Sequence, residues 1–331
     1  MKKLFILAVL CLSVFTIGCG SNNANFKKAL YYTDIGRYND ALNLYGKIIK
    51  SDPNNYAAYS NRAMVHEKIA AAISFKDLKL RQQHLDYAEK DYLKAVKLNP
   101  NDAKILNNLG AFYIDRGQYY NAIIYLNEAL RARPNYYNAL VNRGIAFYNA
   151  GEGIKAYNDF HKAININKDG WLAYYNRGLF YYDIGDYLNA ALDQTRVINL
   201  KPSYGKAYLE RGRALKLNNM YADALDDFKM AVELAPNNAV ARYYLAEMFF
   251  KNHDLGGALS ELLISKQLDP RFVPTYELMG DILALEDNVS AAANYIIAKK
   301  LDPANARKYD VKIRRLLSDQ GVRRTVESRF Y

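Results

Sequence analysis

The sequence predicts an all-α fold, an α-solenoid of eight stacked helical hairpins followed by a capping helix. Three observations predict it. Seven of the eight prolines (Pro53, Pro100, Pro134, Pro202, Pro236, Pro270, Pro303) fall at steps of 47, 34, 68, 34, 34 and 33 residues. Since proline stops a helix, these mark the ends of repeating units. Alanine recurs at one place in the same frame, at Ala41, Ala88, Ala122, Ala156, Ala190, Ala224 and Ala258. Finally, 51% of the 331 residues are hydrophobic, while only 18 are Gly and 8 are Pro, which excludes a chain that is mainly disordered or linker-rich.

Each part of the unit has a physical reason. With the anchor proline as position 32, position 8 is Gly110, Gly144, Gly178, Gly212 and Gly280, and position 20 is the alanine. These small residues stand where the two helices of a hairpin cross. Large residues at positions 4, 11 and 24, such as Tyr174, Tyr181, Tyr208 and Phe228, fill the space around them. Position 15 is Gly36, Gly117, Gly151 and Gly185, where the first helix ends and a positive φ is cheap for glycine. No single hairpin buries its own apolar face, so stacking is obligatory.

This pattern resembles the tetratricopeptide repeat, eight copies of which cover about 22–305. The resemblance implies a right-handed superhelix and divides the chain into a leader at 1–18, a solenoid at 19–305 and a basic capping helix with its tail at 306–331. The second repeat carries 13 extra residues within 67–86; their helix-forming composition predicts two helices, each about two turns too long, projecting as a spur. The eighth repeat has a turn one residue shorter. Residues 306–319 read as the cap helix and the remainder as a polar tail.

The leader reads as an address. Met1-Lys2-Lys3 precedes an apolar run over 4–17, too short to span a bilayer comfortably. Thr16-Ile17-Gly18-Cys19 resembles a bacterial lipoprotein cleavage box, with Thr16 where Leu is usual. The resemblance implies lipidation of Cys19 and anchoring in the cell envelope, and Gly20 after it, rather than Asp, favours an outer-membrane position facing the periplasm by analogy with enteric sorting. A plain secretory signal is the other reading.

No catalytic or metal-binding pattern emerges, and no cofactor is expected. Cys11 and Cys19 are the only cysteines, and His66-Glu67 begins a zinc-protease motif that fails at Ala70. The chain reads as a non-enzyme. Without the leader the net charge of +11 becomes +9, of which +5 lies from Arg307 onward. This cap is expected either to dock an acidic partner or to solubilise the end; nucleic acid is a poor fit for so local a charge.

In the resembling architecture the first helices line a groove, and positions 2, 6, 9 and 13 form one stripe. Position 6 is Asn61, Asn108, Asn142 and Asn176 in successive repeats. Side-chain amides can grip a peptide backbone whatever its sequence. The column resembles the asparagine ladder of peptide-binding tetratricopeptide superhelices; a packing habit of the repeat would give the same column. Lys104, Asn138, Tyr148, Tyr175 and Tyr182 supply mixed chemistry beside it, and Lys206 and Arg213 extend it into more charged repeats. A chaperone-type carboxylate clamp is a poor match, because Val141 and Ile145 replace its first pair and Glu210 stands where Arg belongs. The expected partner is therefore an extended protein segment. A small-molecule carrier built around Tyr148, Tyr175 and Tyr182, or a self-assembling envelope protein, are the alternatives, and the oligomeric state stays open.

Overall fold

The computed structural model describes residues 24–74, 77–318 and 320–330, so the leader and Cys19 lie outside the described residues. The described residues form helices and no strand. They fall into two compact units, divided between Phe180 and Tyr181.

The first unit is a stack of hairpins. Its helices are α1 (Ala24–Asp34), α2 (Tyr38–Ser51), α3 (Tyr56–Ala72), α4 (Leu78–Leu98), α5 (Ala103–Asp115), α6 (Tyr119–Ala132), α7 (Tyr137–Asn149), α8 (Gly153–Ile166) and most of α9 (Trp171–Asp183). The second unit contains α10 (Tyr187–Leu200), α11 (Gly205–Leu217), α12 (Tyr221–Leu234), α13 (Ala239–Lys251), α14 (Leu255–Leu268), α15 (Val273–Leu283) and α16 (Asn288–Leu301). A short 3₁₀ turn at Pro303–Asn305 leads into α17 (Ala306–Leu316) and α18 (Gln320–Phe330).

The small-residue positions do what their spacing requires. Every position-20 alanine named above is at most 1% exposed. A Cβ added to Gly110, Gly144 or Gly280 would lie 2.5 Å from the side chain of Leu126, Phe160 or Tyr295, and one on Gly212 would lie 2.7 Å from Phe228. The ring or aliphatic group at position 24 therefore occupies the place of the missing side chain.

The turns show how the register survives substitution. Gly117 and Gly151 have φ of 70° and 85°, and the amides that follow them reach back to the carbonyls of Tyr113 and Phe147. In the sixth and seventh repeats Asn219 and His253 take the same left-handed conformation, at 61° and 60°, with the same return bonds from Met220 to Leu215 and from Asp254 to Phe249. Local polar side chains make asparagine, and less often histidine, tolerable there.

Two expectations about irregular regions need correction. The extra residues lengthen the second repeat unequally: α3 has 17 residues and α4 has 21, against 13 and 14 in α5 and α6. At 3.6 residues per turn this is about one turn and two turns rather than two each. Asp77 sets the division, since its side chain accepts the Leu80 amide and caps α4. The tail after 319 is also not merely polar chain. It is helical, and Val326 is completely buried.

The basic cap is partly neutralised. Lys312 reaches Asp281 at 2.5 Å and Lys308 pairs with Glu277, while the cap's own Asp310 is taken by Lys299 of α16 at 2.6 Å. Tyr309 and Ile313, one helical turn apart, press the apolar face of α17 onto the last hairpin.

Candidate functional site

The first helices carry the side chains expected to meet a ligand, and the structure sorts these into surface and interior. The four asparagines belong to the interior. Asn61, Asn108, Asn142 and Asn176 are 0%, 6%, 1% and 1% exposed. Asn142 Nδ2 donates to Asn107 Oδ1 at 2.9 Å, joining α7 to α5, and Asn108 Nδ2 approaches Met64 Sδ at 3.7 Å, joining α5 to α3. Asn176 Nδ2 donates to the Leu172 carbonyl at 2.8 Å within α9. Position 6 is thus buried in all four repeats, and at Asn108, Asn142 and Asn176 the amide nitrogen is engaged within the chain. Asn142→Ala would act on stability before it acted on any ligand.

Other residues of the first unit's first helices keep part of their exposure. Lys104 on α5, Asn138 and Tyr148 on α7, and Leu172 and Leu179 on α9 are half-buried, each with part of the side chain open to solvent. Tyr175 is buried at 7% exposure, and Asn149 donates Nδ2 to the Ile145 carbonyl at 2.9 Å. Tyr148 and Tyr175 therefore differ in access, although both are aromatic residues of first helices.

The second unit holds its charges in an internal network. Arg213 is 8% exposed and lies 4.5 Å from the Tyr182 ring centroid and 5.7 Å from that of Tyr244. It also bonds Glu210, whose carboxyl is pushed up by burial while Arg213 pulls it down. Lys216 contacts both carboxylate oxygens of Glu247 at 2.9 and 2.7 Å. Arg213 is consequently a structural cation, not an open hand for a ligand. Lys206 is half-buried beside Glu210 and keeps more access.

A recurring ion pair went unnoticed in the sequence. Arg62 grips Asp91 at 2.6 and 2.7 Å, Arg143 grips Asp159 at 2.7 Å through two nitrogens, and Arg211 grips Asp227 at 2.8 and 2.7 Å. Each is a two-pronged guanidinium–carboxylate pair tying the first helix of a hairpin to the second. Its signal was legible in principle: arginine at position 7 and aspartate at position 23 recur in four repeats, the fourth pair being Arg177 and Asp193.

Two surface notches lie over such pairs. One, about 670 Å³, is lined by Ile49, Tyr59, Arg62, His66, Tyr87, Lys90, Asp91 and Lys94. The other, about 380 Å³, sits at α10, α11 and α12. His66 Nδ1 and His84 Nδ1 approach to 2.9 Å behind the first notch, and burial, with His84 and Arg62 adding, holds the His66 imidazole down at about 4. No group of three or more metal-ligating side chains occurs among the described residues, and no described helix is long and apolar enough to cross a membrane.

Profiles described as tetratricopeptide repeat match residues 26–69, 91–124, 172–204 and 209–270, together just over half of the chain. Over 89 residues the chain is 29% identical to anaphase-promoting complex subunit 3 of Dictyostelium discoideum; the match takes in 27% of this chain and only 9% of that protein's length. Among solved structures, the fold resembles the Cut9–Hcn1 hetero-tetramer of the APC/C (TM-score 0.63, 17% identity, 90% of this chain and 57% of that one). It also resembles Pseudomonas aeruginosa pilF (TM-score 0.59, 19% identity, 66% and 98%) and a tetratricopeptide repeat protein of Parabacteroides merdae (TM-score 0.54, 21% identity, 76% and 99%). At these identities the likeness is one of fold.

Proposed function

We propose that this chain, which belongs to the tetratricopeptide-repeat family, is a non-catalytic scaffold that holds an extended segment of a partner protein along its first helices. Proteins of this family generally mediate protein–protein interaction and scaffolding. The observation that carries the reading here is the partial exposure of Lys104, Asn138, Tyr148, Leu172 and Leu179, a cation, an amide, a ring and two aliphatic groups on three successive first helices. Helices packed 8–10 Å apart place three such rows over about 16–20 Å, the length of roughly five or six extended residues. Chemistry of this mixture suits a moderately apolar segment better than a single small ligand.

The test is a triple substitution, Lys104→Ala, Asn138→Ala and Tyr148→Ala, in the full chain. Recovery of a partner crosslinked in the native cell should fall about tenfold or more, corresponding to roughly 1.4 kcal/mol. Helicity should be unchanged, because the three side chains are only half-buried. Undiminished crosslinking would exclude these residues.

The scaffold is proposed to act in the bacterial cell envelope, held there by acylated Cys19 and facing the periplasm from the outer membrane. Support comes from the basic start, the apolar run and the small residue before the cysteine. Cys19→Ser should move the protein from the membrane fraction to the soluble fraction, since stable anchoring needs more than one acyl chain and all of them would be lost together. Retention in the membrane fraction would reject acylation as the anchor.

A further inference from the structure

The notch of the second unit has a composition that the repeat does not require. Leu188 and Leu192, one helical turn apart on α10, are each 58% exposed, and Met220 at the start of α12 is 41% exposed. All three line the same notch as the buried Leu215, with Ala191 and Thr195 beside them. Scattered apolar residues at a surface need no explanation, but a cluster converging on one concavity does.

Charge gives the cluster a direction. Asp223, Asp226 and Asp227 line the notch with Arg211 as the only cation in the lining. Arg211 is committed to Asp227, and Lys229 touches Asp226 at 3.3 Å as a mostly exposed pair that water and salt screen. The formal charge of the lining is −2. The Asp227 carboxyl is pushed up first by burial and then by Asp223 and Asp226, against the pull of Arg211.

The notch of the second repeat provides an internal comparison. Both are floored by the same position-7/position-23 pair, Arg62–Asp91 in one and Arg211–Asp227 in the other. Around that constant floor the same places differ: His66 against Leu215, Tyr87 against Asp223, Lys90 against Asp226. With His66 neutral, the lining of the first notch carries +2. Packing of the hairpin therefore needs the arginine and the aspartate but not the chemistry around them, and the aliphatic, acidic set is particular to the second unit's notch.

We propose that this notch, formed by Leu188, Leu192, Leu215 and Met220 beneath Asp223 and Asp226, docks a partner-protein segment in which aliphatic side chains are flanked by lysine or arginine. The aliphatic groups would cover the exposed leucines, and the flanking cations would answer Asp223 and the loosely paired Asp226, which also speeds encounter and discriminates against acidic segments. This surface is separate from the partly exposed first-helix residues, and either can fail without the other.

The test presents a random peptide display library to the full chain and to two variants, Leu188→Ser/Leu192→Ser and Asp223→Lys/Asp226→Lys. The substituted side chains are largely solvent-facing, and circular dichroism checks that the helices persist. Selection on the unaltered chain should enrich peptides pairing Leu, Ile, Val or Met with Lys or Arg. Peptides from that class should bind the serine variant at least tenfold more weakly, and selection on the charge-reversed variant should move towards Asp and Glu flanks. The proposal is overturned if no enriched class depends on Leu188 and Leu192, or if acidic and basic flanks are accepted equally. It is also overturned if sedimentation shows that the serine variant abolishes a dimer of the unaltered chain, for then a second copy covers the patch. Enrichment that depends on Lys104 and Tyr148 alone would uphold the first-helix residues and remove the notch.

Discussion

Phe160→Ala should cost about 3–5 kcal/mol of unfolding free energy, and adding Gly144→Ala to it should return part of that loss. The ring is fully buried, and a Cβ on Gly144 would lie 2.5 Å from its Cε1, 2.8 Å from Cδ1 and 3.0 Å from Cζ. In the unaltered chain, Gly144→Ala therefore drives a methyl group into a packed ring, an overpacking cost of about 1–3 kcal/mol. That cost outweighs the roughly 1 kcal/mol by which alanine is preferred to glycine inside a helix. Once the ring is gone, the same methyl enters empty space and keeps its helix preference. One substitution should thus change sign with the state of its neighbour.

A double-mutant cycle followed by chemical unfolding measures this directly. Additive effects would mean that glycine and ring do not share the crossing point. Because units of a stacked array interact with their neighbours, the midpoint of the transition is a better readout than a single global free energy.

The same crossing explains why so much of the fold was legible in the sequence. Small residues at positions 8 and 20 and large ones at position 24 are demanded by backbone approach, so they recur whatever the surface does. Anchor prolines and turn glycines add punctuation, and where glycine is absent, Asn219 and His253 keep the turn. The unequal lengthening of α3 and α4 was not legible, because helix-forming composition runs through both ends of the insertion and only the cap at Asp77 divides it. Helix formation after 319 was missed for a related reason: the tail has few apolar residues, and one of them, Val326, docks.

The candidate site was less legible, and the asparagines show why. Position 6 admits both a ligand-binding and a packing reading, because a repeated polar residue on a first helix would look the same in either case. Yet Asn142 reaches Asn107, its neighbour in the preceding repeat's first helix, at 2.9 Å. A stripe drawn from helical spacing gives direction around one helix but not the distance to the next, which decides burial. Arg213 misled in the same way, since the sequence gives its charge but not the enclosing Tyr182, Tyr244 and Glu210.

Glu67 offers the largest pH effect. Burial, with Asp115 adding, pushes its carboxyl up to about 8, while the hydrogen bond donated by Tyr92 and the charge of Lys68 act the other way. An unfolded glutamate titrates near 4.3, so the folded chain holds this proton more tightly. The resulting stability is fully present below about 4.3 and is lost as pH rises towards 8. His66 works in the opposite sense. Its folded value of about 4 lies under the unfolded 6.5, so its contribution is present above 6.5 and lost as pH falls towards 4. From about 4.5 to 6.5 the slopes of Glu67 and His66 oppose, while Asp115, pushed up to about 7 by burial, adds to that of Glu67. Glu67→Gln keeps an oxygen for the Tyr92 hydroxyl but removes the titration. Its stability relative to the unaltered chain should rise with pH by up to about 1.4 kcal/mol per unit between 4.5 and 8, and then level off. Urea midpoints at half-unit pH steps would measure it. A difference that stays flat across that window would place an ionised carboxylate at Glu67 and remove the buried proton from the hairpin.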